Sequence, residues 1–107
     1  MLIDEKRCQE IGLPKPESFD TENSYVMKII LSGKSLNTRQ ARYIGIGNLH
    51  SVVSGLVNKN QIELTKVRGR VKDPLTGQQP INPVIIVFMK PEQIEGYKAR
   101  RHPKDAA

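Results

Sequence analysis

Apolar residues recur at helical spacing in two stretches of the chain, and further on the period changes to that of strands. Tyr25, Val26, Ile29 and Ile30 share one helical face, Leu31 extends it, and Gly33 follows as a stop. Asp20 or Thr21 can cap this helix, with Asn23 and Ser24 as later options. Leu49, Val52, Val53, Leu56 and Val57 repeat the pattern and make a second apolar face. Between the two, a shorter helix is expected from Thr38 through Tyr43. Asn37 or Thr38 can cap it, and Gln40 stands three residues after Asn37, the spacing of a capping box. Gly45 and Gly47 bracket Ile46, and glycine can take the left-handed conformation that ends a helix and turns the chain. Asn48 can then cap the helix that follows.

From Ile62 the pattern alternates. Ile62 and Leu64 are apolar against polar neighbours, but Val67 and Val71 fall on the other phase, opposite Lys66, Arg68, Arg70 and Lys72. A slip of one residue exchanges the faces of a strand, so a bulge or twist is expected near Thr65. Beyond it, four cations lie on one strand face, where like charges repel unless an anion lies against them. Asp73-Pro74-Leu75-Thr76-Gly77 has turn chemistry, and the loop can extend to Pro80. Asn82 to Met89 reads as the return strand. Its continuous apolar character predicts one face on the helices and the other partly covered, by the N-terminal arm or by a second copy. Lys90-Pro91-Glu92 opens a last helix anchored by Ile94 and Tyr97, and Lys98, Arg100, Arg101 and Lys104 give it a basic tail.

Charge sharpens this picture. Residues 1–24 hold three basic and six acidic residues, a net of −3, whereas the remainder holds 14 basic and five acidic, a net of +9. Segregation of this kind favours a polyanionic partner for the basic part. Residues 1–22 are expected to form an acidic arm, partly disordered, since Gly12, Pro14 and Pro16 interrupt regular structure. Within it Asp4 to Gln9 can form a helical turn or two. A single domain is expected over 23–102, with a disordered tail at 103–107. With 37% hydrophobic and 26% charged residues, the chain can bury one modest core.

The stretch from Leu36 to Asn60 resembles the helix-turn-helix. In that motif a small alanine stands four residues before a turn glycine, here Ala41 and Gly45, and a hydrophobic residue, here Ile46, follows. Val52, Val53 and Leu56 fall one or two residues later than the shortest version allows, so a longer turn is expected. The order helix, helix, helix, ribbon over about Ser24 to Arg101 is similar to the winged helix proteins, including small ones carried by phages and prophages. The resemblance implies an α+β winged helix-turn-helix: a three-helix core, a two-stranded β-hairpin wing over 62–89 and a short C-terminal helix. It also implies a partner, double-stranded DNA. The helix at 48–57 would enter the major groove, where Asn48, His50, Ser51 and Ser54 can bond to base edges. Thr38, Arg39, Arg42, Lys66, Arg68, Arg70 and Lys72 would hold phosphates. Each also has a plainer reading as a solvated surface residue.

Other chemistry finds little support in the residues. One cysteine and two histidines cannot supply the usual four-ligand zinc site, and no cofactor is expected. There is no Walker-type loop, no G-x-S-x-G and no H-E-x-x-H, and GIGN at 45–48 is too short for a dinucleotide fingerprint. Cys8 has no base organised beside it, and the five acidic residues beyond residue 24 are scattered. No enzymatic activity is therefore expected. No apolar run reaches membrane-spanning length and no signal peptide is seen, so the expectation is a cytoplasmic, nucleoid-associated protein without a membrane partner. A module of this size buries little DNA, so a homodimer or a neighbouring protein is expected to assist. The working expectation is a small sequence-specific transcriptional regulator, with an architectural role of the excisionase kind as a variant. A protein-interaction module of the same fold is the first rival and RNA binding the second, although few aromatics are present to stack on bases.

Overall fold

The computed structural model describes residues 3–101. Five helices and three strands follow in the order α1 (Glu5–Glu10), α2 (Glu22–Leu31), β1 (Leu36–Asn37), α3 (Thr38–Ile44), α4 (Leu49–Asn58), β2 (Thr65–Gly69), β3 (Val84–Phe88) and α5 (Pro91–Arg101). The strands make one antiparallel sheet in the order β1-β3-β2. The architecture is thus α+β. The tail expected at 103–107 lies outside the described residues.

Local chemistry sets the helix ends. Thr21 caps α2, and its hydroxyl accepts from the Ser24 amide (3.1 Å) while the Ser24 hydroxyl accepts from the Thr21 amide (2.8 Å). Asn37 and Gln40 make the same reciprocal pair at the start of α3, at 2.9 and 3.1 Å. These boxes satisfy amides that no helical carbonyl can reach. Gly45 ends α3 at φ +108, and the four residues to Leu49 form the longer turn. Asn48 then caps α4, its side-chain oxygen accepting from the Ser51 amide at 3.0 Å.

The core lies where α2, α3 and α4 meet the inner face of the sheet. Tyr25, Val26, Ile29 and Ile30 of α2, Ala41 and Ile44 of α3, and Leu49, Val52, Val53 and Leu56 of α4 are buried. Leu36 of β1 and Ile85 and Val87 of β3 close it from the sheet side. Leu36 pairs with Val87 and Asn37 with Ile86. The two faces of β3 are as expected, Ile85 and Val87 inward, Val84, Ile86 and Phe88 half-covered.

Three expectations need correction. The ribbon is not a separate two-stranded wing, because β1 pairs with β3 and makes the sheet three-stranded. Thr65 to Gly69 pairs residue for residue with Phe88 to Val84, so no bulge interrupts the ribbon. Residues 61–64 precede the strand rather than belonging to it, and Gln61 takes a left-handed backbone at φ 56. The change of phase at Thr65 therefore marks the start of the strand. The arm, where described, is part of the fold. Cys8 is fully buried and Leu13 nearly so, and the Asp4 amide bonds to the carbonyl of Ile44 (2.8 Å). The Tyr25 hydroxyl donates to the carbonyl of Pro14. Arg7 stacks 4.5 Å over the ring of Tyr43 and donates to its carbonyl (3.0 Å), and the Tyr43 hydroxyl donates to Glu10 (2.6 Å). The glycine and prolines turn the arm back onto α2 and α3 instead of loosening it.

Burial of Asp20 completes this clasp. Its carboxylate accepts from Lys28 (2.6 Å), the Glu17 amide (2.8 Å) and the Ser24 hydroxyl (2.9 Å). The bond to Lys28, followed by the Glu17 amide, holds this carboxyl below the ordinary carboxylate range.

Candidate nucleic-acid interface

The apolar stripe of α4 faces the core, so its remaining face is open. Asn48, His50, Ser51, Ser54 and Asn58 are all exposed there. The side-chain oxygen of Asn48 is already engaged by the cap, while its amide nitrogen is free to donate outward. The Ser54 hydroxyl accepts from Asn58 (3.1 Å), an exposed amide beyond the four residues expected to meet base edges.

No carboxylate lies between Asn23 and Ile62, a stretch that covers α2 after its first residue, Glu22, together with β1, α3 and α4, and that carries Lys28, Lys34, Arg39, Arg42 and Lys59. On the arm, Asp4, Glu10 and Asp20 are bonded to neighbouring side chains or amides. Lys28 is paired with Asp20 and Arg39 with Asp73, so the cations exposed on α3 and at the end of α4 are Arg42 and Lys59, beside neutral hydrogen-bonding groups.

The seven residues expected to hold phosphates fall into two groups. Arg42 is exposed in the last turn of α3. Lys66 and Arg68 are exposed on β2, an edge strand, opposite Val87 and Ile85. Partners in an antiparallel pair share a face, so these two cations lie on the helix side of the ribbon. The strand ends at Gly69, and the expected four-residue stripe is only two residues long as a strand face. Arg70 and Lys72 stand in the loop beyond, both exposed, and Arg70 donates to the carbonyl of Pro80 (3.4 Å).

Thr38 and Arg39 are turned to structural use. The Thr38 hydroxyl lies 3.5 Å from the carbonyl of Ile85. Arg39 is largely covered: it pairs with Asp73 (3.7 Å), donates to the carbonyl of Asn82 (3.4 Å), and leaves its Nε buried without a partner. Arg39 and Arg42, three residues apart, therefore do not act as a pair. The first turn of α3 is fastened instead to the loop joining β2 to β3. Nothing in the local sequence announces this, since Asp73 and Asn82 are far along the chain from Arg39.

That loop is itself ordered by hydrogen bonds. The Asp73 side chain accepts from the Leu75 amide (2.8 Å) and its carbonyl from the Gly77 amide (2.7 Å), while its own amide donates to the carbonyl of Gln78 (2.7 Å). At the other end of the ribbon, Gln93 accepts from the Thr65 hydroxyl (2.9 Å) and from the Lys90 amide (2.9 Å), joining β2 to the start of α5.

No protein-family model, curated protein or solved structure matches this chain. Among the described residues, no three of His, Cys, Asp or Glu come together as metal ligands, and no helix is long and apolar enough to cross a membrane.

Proposed function

We propose that the protein binds double-stranded DNA with sequence preference, as a small transcriptional regulator of winged helix type. The order of α2, β1, α3, α4 and the β2–β3 ribbon resembles the winged helix arrangement. The observation that carries the reading is the carboxylate-free run from Asn23 to Ile62. It includes a helix whose exposed face is short, polar and neutral, and it leads into an edge strand bearing Lys66 and Arg68. In this reading α4 enters the major groove, with His50, Ser51, Ser54 and the amide of Asn48 on base edges. Arg42, Lys66, Arg68, Arg70 and Lys72 contact phosphates, while Thr38 and Arg39 hold the ribbon at its angle to the helix pair.

The test is fluorescence anisotropy with a random-sequence duplex across a salt series. Log affinity should fall linearly with log salt, with a slope of several units. Replacing Arg68→Ala and Arg70→Ala together should reduce that slope by up to about two, about one for each lost phosphate contact, for all sequences alike. Absence of binding at low salt would overturn the proposal.

A second reading has one observation behind it. Val67, Ile86 and Phe88 lie on the outer face of the ribbon and are not fully covered. A protein partner could dock there, and binding of that partner would be insensitive to added nucleic acid.

A further inference from the structure

We infer that the tip of the β2–β3 loop is an apolar wedge that enters the minor groove and unstacks a base step, bending the DNA. This deepens the DNA-binding reading and rests on it. Four large hydrophobic side chains are exposed among those described, and three of them, Val67, Leu75 and Ile81, belong to the ribbon and its loop. Leu75 is 71% exposed and Ile81 77%.

A single exposed leucine is ordinary on a protein surface. This one differs in its support. It follows Pro74, and its own amide is bonded to the Asp73 side chain. The Gly77 amide bonds to the Asp73 carbonyl, and the Gln78 amide bonds to the Thr76 hydroxyl at 3.2 Å. Asp73 is in turn paired with Arg39 of α3. The leucine thus stands on a turn whose backbone is fixed from within and fastened to the helical core. A side chain carried on a backbone that is already ordered needs no loop ordering on insertion, which is what a wedge needs.

The surroundings select the partner. From Leu64 to Pro91 the only carboxylate is Asp73, already paired, whereas Lys66, Arg68, Arg70, Lys72 and Lys90 are all cationic. Exposed Gln78 and Gln79 follow the turn, and amides of this kind bond to the acceptors along the floor of an A·T minor groove. Proteins that insert apolar side chains between base steps kink the duplex, most easily at pyrimidine–purine steps. Cations around an apolar tip would also suit an anionic lipid surface. The glutamines and the carboxylate-free helix pair favour DNA.

The experiment uses the full chain and an A·T-rich duplex of roughly 30 base pairs, long enough for a bend to be read from its ends. The duplex carries end-placed fluorophores for energy transfer and 2-aminopurine at TA steps. Anisotropy is recorded on the same samples. Wild type should bind, raise energy transfer and brighten 2-aminopurine. Leu75→Ala should bind with an unchanged salt slope but lose both signals, and Leu75→Met should keep them. The exposed position means that Leu75→Ala folds normally, which its unfolding midpoint verifies. Binding without either signal in wild type, or signals unchanged in Leu75→Ala, would overturn the wedge and leave the DNA reading standing. Absence of binding at low salt would overturn both. Vesicles of phosphatidylcholine and phosphatidylglycerol provide the other arm: Leu75-dependent vesicle binding without DNA bending would assign the tip to a membrane surface and refute the wedge.

Discussion

Helix α4 and strand β2 are the two surfaces assigned to DNA, and they are held in place by opposite means. Four of the ten residues of α4 are buried, and its exposed face is only the reverse of a packed one. None of the five residues of β2 is buried. The strand is held by its ladder to β3, by Thr65 bonded to Gln93, and by the Arg39–Asp73 tie beyond its end. A surface built on a packed stripe is positioned by apolar burial. One built on an edge strand is positioned by a few directional bonds. The first should be sensitive in stability and the second in binding.

The widest separation is expected from a matched pair of truncations. Leu56→Ala, at a residue 3% exposed in α4, should destabilise by about 2–5 kcal/mol, the cost of lost transfer energy plus a cavity. Val67→Ala, at a residue 44% exposed in β2, should change stability by no more than about 0.5 kcal/mol. Denaturant midpoints at a common slope test this. A large loss from Val67→Ala would mean that the outer face of the ribbon is covered in solution, and the comparison would fail.

This contrast also explains which parts of the molecule could be read in its residues. Helices α2, α3 and α4 were legible because their signals are local: a capping residue, a partner three positions on, an apolar stripe of matching period. The exposed face of α4 followed as the complement of that stripe. Strand β1 was not legible, since two residues carry no period and Leu36–Asn37 is a strand only because β3 lies beside it. The ribbon was legible as a hairpin, but the start of its first strand was not. Ile62 and Leu64 resemble strand positions, and only the left-handed Gln61 shows where the chain turns before extending. Arg39 looked like Arg42 in sequence, yet a carboxylate from the distant loop claims it. The arm is the same kind of error: Cys8 and Leu13 are apolar but too few to make a periodic signal, and their burial depends on contacts with α2 and α3.

The arm offers the next largest effect, and it has a pH signature. Asp20→Asn leaves Lys28 without its carboxylate and should cost about 1–3 kcal/mol near neutral pH. Because the folded carboxyl is held below its ordinary range, its contribution is fully present above the unfolded value, about 3.9, and is lost as pH falls through the lower folded value. The gap between wild type and variant should therefore close on acidification below about pH 4. Urea unfolding at a series of pH values measures it. A gap that persists unchanged at the acid end would mean that the ionised pair contributes nothing and that the cost is one of packing alone.

The smallest effect on stability should accompany the most specific effect on binding. Asn48 and Ser51 both face the proposed groove, but they are not equivalent probes. Asn48→Ala also removes the cap of α4 and should cost about 0.5–2 kcal/mol, so a change in its binding is confounded with helix fraying. Ser51 contributes its backbone amide to that cap, and its hydroxyl has no part in it. Ser51→Ala therefore keeps the cap and should leave stability within about 0.5 kcal/mol. If Ser51 reads a base edge, the variant should discriminate less among sequences selected by wild type, while its affinity for random duplex and its salt slope stay the same. Competition binding between a selected and a random duplex reads this directly. Equal discrimination by wild type and Ser51→Ala would remove this residue from the reading face. If discrimination were then lost in Asn48→Ala, Asn48 would be the residue to probe, in a background where Ser or Asp keeps the helix capped.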